Sequence, residues 1–148
     1  VVGAALFDQN SWCGIIVDGH HVDPITLRIA LRCKPFSRFL LVTDAMPNLG
    51  TNDIDFQLQG KTVHVRDGKC VDDNGVLSGS VLDMASALRN AMNFLHLSLA
   101  QASEMASTNP AEFLGLGHRL GKIQPGYQAD LVLLDQQLNV VITWIAGR

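Results

Sequence analysis

Two apolar runs in this chain end in groups that can move protons. Ile15-Ile16-Val17 leads into Asp18-Gly19-His20-His21, and Phe39-Leu40-Leu41-Val42-Thr43 leads into Asp44. A carboxylate held beside a reacting water acts as general base and then general acid, and an imidazole can do the same or donate to an anion. Asp44 carries the sharper signal, because a carboxylate closing a buried run is costly to hide without a partner or a metal. A helix-capping or loop carboxylate accounts for it equally well on pattern alone. His20 and His21 are adjacent on extended backbone and point to opposite faces, so at most one of them reaches a shared site. On the residues alone, one exposed and one packed histidine is the favoured reading. Leu77-Ser78-Gly79-Ser80 reads as a small-residue loop entering a helix, which can border a ligand but needs none to explain it.

The remaining histidines, His64, His96 and His118, have no HxH or HExxH spacing that would set two imidazoles on one metal, and read as structural or surface residues. Met84, Met92 and Met105 fall in helical pattern and read as packing residues, as do Trp12 and Trp144.

The elements that must position Asp18 to His21 and Asp44 follow from the pattern around them. Residues 15–17 are a short buried strand. Asp23-Pro24 is a cap and first-turn proline, opening a helix to about Leu31 with Ile25, Ile29 and Ala30 turned inward. Residues 39–44 form a strand buried on both faces, so the unit is strand, helix, parallel strand. In such units the reactive groups collect at the C-terminal strand ends, which predicts that His21 and Asp44 face one side of the sheet. A hairpin insertion is expected over about 53–72 from its alternation and its Gly60 and Asp67-Gly68 turns. Ser80 with Asp83 resembles a capping box before a long amphipathic helix, Ser98 with Gln101 caps a second, and Asn109-Pro110 a third. Strands are predicted at 129–134 and 140–145.

With 148 residues, 47% of them hydrophobic and 17% charged, the chain can build a core but has few charges for a free-standing domain. This predicts that part of its surface is normally covered. A net charge of -3 with no basic cluster argues against nucleic-acid or anionic-membrane binding. No apolar run approaches the roughly 18–20 residues of a bilayer span. Cys13, Cys33 and Cys70 form no CxxC pair, which fits neither a disulfide framework nor a zinc knuckle and suits a reducing, cytoplasmic setting. The start, Val1-Val2-Gly3-Ala4, lacks Met, which suggests processing or a piece of a longer protein.

Three segments in order, Cys13 to Asp23 (Cys-Gly-Ile-Ile-Val-Asp-Gly-His-His-Val-Asp), Leu41 to Ala45 and Gly75 to Ser80, resemble the N-acetylglucosamine-6-phosphate deacetylases. Thr108-Asn109-Pro110-Ala111 and Gly121 to Leu131 are similar to the closing segments of the wider amidohydrolase superfamily. The resemblance implies an α/β fold, the C-terminal part of a (β/α)8 barrel over 1–120 followed by strands of a small β-sandwich over 121–148. A whole barrel takes about 250 residues, so only part of one is expected here.

The resemblance also implies roles. Asp44 matches the catalytic carboxylate and, in a two-metal form, a possible metal ligand. His21 matches the substrate-binding histidine, Asp18, Gly19 and His20 line the same loop, and Leu77, Ser78 and Gly79 border the sugar. His20 stands where the family can carry a hydrophobic residue. The implied cofactor is a divalent metal, zinc or iron. Its main ligands, one Glu and two His, have no matching positions here, nor has the phosphate-binding Arg. The implied partners are a small sugar phosphate and a second subunit of a homodimer, and the implied reaction releases acetate and glucosamine 6-phosphate. Another amidohydrolase chemistry, disfavoured by the Asp18 to Asp23 stretch, and a non-enzymatic segment that only binds a sugar phosphate or a partner subunit are the alternatives.

Overall fold

The computed structural model describes residues 1–148. After a short helix α1 (Val2–Phe7), strand β1 (Cys13–Ile16), helix α2 (Pro24–Cys33) and strand β2 (Phe39–Val42) form the expected βαβ unit. The two strands run parallel, from Cys13 against Phe39 to Ile16 against Val42. Ile15 and Val17 of the first run and Phe39 and Leu41 of the second are buried in one cluster with residues of the surrounding helices. Their near-continuous apolar character reflects cover from both sides.

Asp23 caps α2 as predicted, its carboxylate accepting the Ile25 N–H at 2.8 Å, with Pro24 in the first turn. The inner face of α2 differs from expectation. Leu27 and Ala30 are buried, whereas Ile25 and Ile29 lie 65% and 55% exposed. These isoleucines are four residues apart and share a separate stripe from the Leu27–Ala30 pair. Packing against the sheet through the small Ala30 selects the latter stripe, so the count of apolar side chains does not decide the face.

Beyond β2 the expected hairpin is a larger unit. Strands β3 (Asp55–Leu58), β4 (Lys61–Arg66), β5 (Lys69–Asp72) and β6 (Leu77–Ser80) make an antiparallel meander in that order. Leu77–Ser80, read as a loop, is its fourth strand. Two tight turns set its register: Gln59-Gly60 and Asp67-Gly68 all have positive φ, as two-residue hairpin turns require.

Helix α3 (Met84–Leu95) starts later than the sequence suggested. Asp83 is its cap, accepting the Ser86 N–H at 2.8 Å, and Ser80 is not part of a capping box. The Ser98–Gln101 capping box is present at the start of α4 (Leu99–Ser103). From there one π turn (Glu104–Thr108) continues into α5 (Asn109–Phe113) without a break. Asn109 therefore caps no separate helix. Its buried side-chain amide instead donates to Phe39 O at 2.9 Å and ties this helix to the start of β2.

The chain closes with an antiparallel pair, β7 (Leu131–Leu134) and β8 (Val140–Trp144), as predicted. Val132, Leu133, Val140, Val141 and Ile142 of this pair remain exposed. The accessible surface totals 9210 Å². A compact monomer of 16.1 kDa would expose about 7,400 Å². The chain thus exposes more surface than a compact monomer of its mass, these apolar side chains among it. No helix is long and apolar enough to cross a membrane.

One side-chain strap braces the meander. His64 on β4 faces Asp55 Oδ1 through Nδ1 at 2.6 Å and Asp73 Oδ1 through Nε2 at 2.8 Å. A neutral imidazole carries one N–H, so bridging two carboxylates calls for the imidazolium. The Asp73 carboxylate, and then that of Asp55, raises the His64 pKa above its ordinary value. Because the folded pKa is raised, the stabilisation is complete below the ordinary histidine value, about 6.5, and is lost as pH rises through the raised one. The melting temperature of His64→Gln should fall furthest below wild type at mildly acidic pH, where the aspartates are still ionised, and the gap should close at alkaline pH. A pH-independent gap in thermal melts would rule out the charged bridge.

Candidate active site

Past β1 the chain turns at Gly19, and Asp18 organises the turn. Its Oδ1 accepts the N–H of His20 and of His21, both at 2.9 Å, and its Oδ2 lies 2.7 Å from His21 Nδ1. Burial alone would raise the Asp18 pKa, but the His21 and His20 amides and the His21 ring outweigh it and hold the carboxyl below its ordinary value. An ionised carboxylate only accepts, so Nδ1 of His21 carries the proton. Its Nε2 then points to Asp44 Oδ2, 3.4 Å away. His20 diverges from this arrangement: it is exposed, with its ring beside Gly68 in the β4–β5 turn.

Asp44 lies two residues beyond β2 with φ +53, the left-handed region. Aspartate tolerates that region better than most residues, yet the conformation persists only where surroundings impose it. Ser80, at the end of β6 and 1% exposed, does so. Its N–H donates to Asp44 O at 2.9 Å, its Oγ donates to Thr43 O at 2.6 Å, and its carbonyl accepts the Met46 N–H at 3.0 Å. The fourth meander strand is thus laid across the end of β2, and the Asp44 side chain, 48% exposed, is presented to the space between them.

That space is an open pocket of about 560 Å³. Of the residues marked from sequence, His21, Asp44, Leu77, Ser78 and Gly79 line it. Asp18 stands behind His21, while Gly19 and His20 are outside the lining. Gly79 has φ +114, and a Cβ there would come within 2.5 Å of the Met46 side chain, so the glycine makes room for Met46 at the pocket wall. Met46, Gln59, Lys61 and Asp72 also line the pocket and were missed. The alternation of residues 56–66 was the available signal, but it showed strands without showing what they faced.

A metal centre does not fit this set of donors. No group of three His, Cys, Asp or Glu side chains in the chain is arranged to hold a metal ion. Within the pocket, His21 already has one nitrogen engaged by Asp18 and the other turned to Asp44. Of the two carboxylates that line the pocket, Asp72 accepts the N–H groups of Asn74 and Val76 through Oδ1, which leaves Asp44 as the less committed oxygen donor.

Comparison with known proteins gives a consistent answer across the chain. The sequence profile of the amidohydrolase family matches residues 6–148. A protein of Shewanella sp. (strain ANA-3) named N-acetylgalactosamine-6-phosphate deacetylase is 48% identical over 150 residues, an alignment covering 100% of this chain and 37% of that protein. An N-acetylglucosamine-6-phosphate deacetylase of Vibrio furnissii is 36% identical, with 100% and 37% covered. The crystal structure of N-acetylglucosamine-6-phosphate deacetylase from Pasteurella multocida superimposes with a TM-score of 0.94 at 38% identity, covering 99% of this chain and 38% of that one. The chain therefore spans somewhat more than a third of the length of these relatives.

The role of Ser80 is open to direct measurement. Ser80→Ala strands the part-buried Thr43 carbonyl and removes the oxygen that accepts the Leu82 N–H at 3.0 Å. Unfolding in denaturant should show a loss of about 1–3 kcal/mol. A loss within experimental error would mean that the Ser80 hydroxyl is dispensable and that its two backbone hydrogen bonds suffice to hold the segment.

Proposed function

The chain belongs to the amidohydrolase family, and from that premise we propose that it supplies the catalytic carboxylate and part of the sugar site of an N-acetylglucosamine-6-phosphate deacetylase. The observation that carries the reading is the pairing of Asp44 with an Asp18-oriented His21 at the mouth of one pocket, 3.4 Å apart. In this reading Asp44 takes a proton from the water that attacks the acetamide carbonyl. It then passes that proton to the departing amine as the C–N bond breaks, so acetate and glucosamine 6-phosphate leave. With Nδ1 tied to Asp18, Nε2 is the edge of the His21 ring left to meet the sugar phosphate. Leu77, Ser78 and Gly79 border the sugar, and Asp18, Gly19 and His20 complete the loop that holds His21.

Residues 1–120 are then the end of a (β/α)8 barrel, with β1 and β2 as its last two strands, and residues 121–148 are strands of a small β-sandwich. The exposed apolar surface of α2 and of the β7–β8 pair supports this, since barrel neighbours and sandwich strands would cover it. Amidohydrolases as a family are generally metal-dependent. The divalent ion, zinc or iron, would take its principal ligands from residues outside these 148, with Asp44 the candidate donor from this segment. A homodimer in the cytoplasm completes the proposal. The Shewanella relative's name favours a second reading, the galactosamine epimer as substrate.

In a polypeptide of the relatives' length that carries this segment, Asp44→Asn should lower kcat by about 10²–10⁴-fold with KM little changed. Acetate release from N-acetylglucosamine 6-phosphate and from its galactosamine epimer, measured side by side, reads both substrate and role. Turnover of neither amide by the unsubstituted protein would overturn the activity, whereas near-normal turnover by the variant would remove Asp44 alone from the mechanism.

A further inference from the structure

Helix α2 carries a second group of unassigned charges. Arg28 and Arg32 stand one turn apart on the same side of the helix. The chain's five ion pairs all lie elsewhere, leaving both guanidiniums without a carboxylate partner. Arg32 sits in the last turn, where the helix dipole favours a cation. Arg28, a turn earlier, has no such reason.

Both arginines line an open pocket of about 330 Å³ formed where α2 meets the end of α3 and the start of α4. His96 and Gln101 face the same space, and Leu31, Phe36, Leu95 and Leu97 wall it; no acidic residue lines it. In a chain with 14 acidic against 11 basic side chains, a concave site with two free guanidiniums, an imidazole and no carboxylate is a local reversal of sign. The surroundings also hold it in shape. His96 caps α3 in the left-handed conformation with its N–H donating to Ala91 O, and Gln101 is fixed in the Ser98 capping box. Guanidiniums present paired N–H donors that match the oxygens of a phosphate, and the leucine and phenylalanine walls suit an apolar body attached to it.

We propose that this pocket is a binding site for a small phosphate monoester, with the phosphate between Arg28 and Arg32 and the organic part against Phe36 and Leu97. The site is separate in its residues from the Asp44 pocket, and its existence does not depend on the deacetylase reading.

Phenyl phosphate titrated into the purified protein, followed by proton–nitrogen NMR, tests the proposal. The Arg28 and Arg32 Nε–H signals and the His96 and Leu97 amides should shift and saturate together. Signals of Asp44 and Lys61 report separately on phosphate entering the other pocket. Arg28→Gln with Arg32→Gln should weaken binding read at His96 and Leu97 by about tenfold or more, given the usual strength of charge-assisted hydrogen bonds. Leu97→Ala should weaken phenyl phosphate and leave inorganic phosphate, the weaker ligand, unaffected. If circular dichroism shows the double variant unfolded, Arg28→Gln alone serves. Absence of shifts at the arginines, or unchanged affinity after their replacement, would overturn the site.

Discussion

Everything proposed for the main pocket depends on one backbone segment being held where it would not rest by itself. Asp44 occupies the left-handed region, and three hydrogen bonds keep it there: Ser80 donates to the Thr43 and Asp44 carbonyls and accepts the Met46 N–H. The clamp has two consequences. It aims the Asp44 carboxylate across the end of the parallel pair toward His21, and it anchors the meander whose strands β3 to β6 form the far wall of the pocket. A carboxylate on an ordinary extended strand end would have no such constraint on direction, and strained conformations of this kind gather where a site must be preorganised.

The electrostatics follow from the same geometry. Asp18 is spent on orientation: with two amide donors and an imidazole around its carboxylate, it remains charged and fixes which nitrogen of His21 holds the proton. Asp44, by contrast, is half exposed, and its oxygens are not tied up by amides. Two aspartates at equivalent strand ends thus have different surroundings, one held by two amides and an imidazole and one open to the pocket. That division fits deacetylation, in which a single carboxylate serves first as base and then as acid.

The apolar surface sets the scale of what surrounds this segment. Ile25 and Ile29 on α2, together with apolar residues on both faces of β7 and β8, are exposed. Isolated exposed leucines need no explanation, but a helix stripe and both sides of a two-stranded sheet in one chain do. Further segments of a longer polypeptide, such as the relatives more than twice this length possess, would bury it in the ordinary way.

The sequence alone was sufficient for several elements governed by local patterning. The apolar runs ending at Val17 and Asp44, the Asp23-Pro24 cap, the Ser98–Gln101 box and the two late strands depend on residues close together in the chain, and the motifs around Asp18 to Asp23 led to the family. What required tertiary structure were the pairings across distance: Ser80 clamping Thr43 rather than capping a helix, Asn109 binding the edge of β2, Leu77 to Ser80 adding a fourth strand, and Lys61 and Met46 reaching the pocket. The outward turn of Ile25 and Ile29 belongs with these. In each case a residue has two satisfactory local roles, and the choice falls to whichever distant backbone or small side chain comes within reach, a contact that periodicity and spacing do not encode.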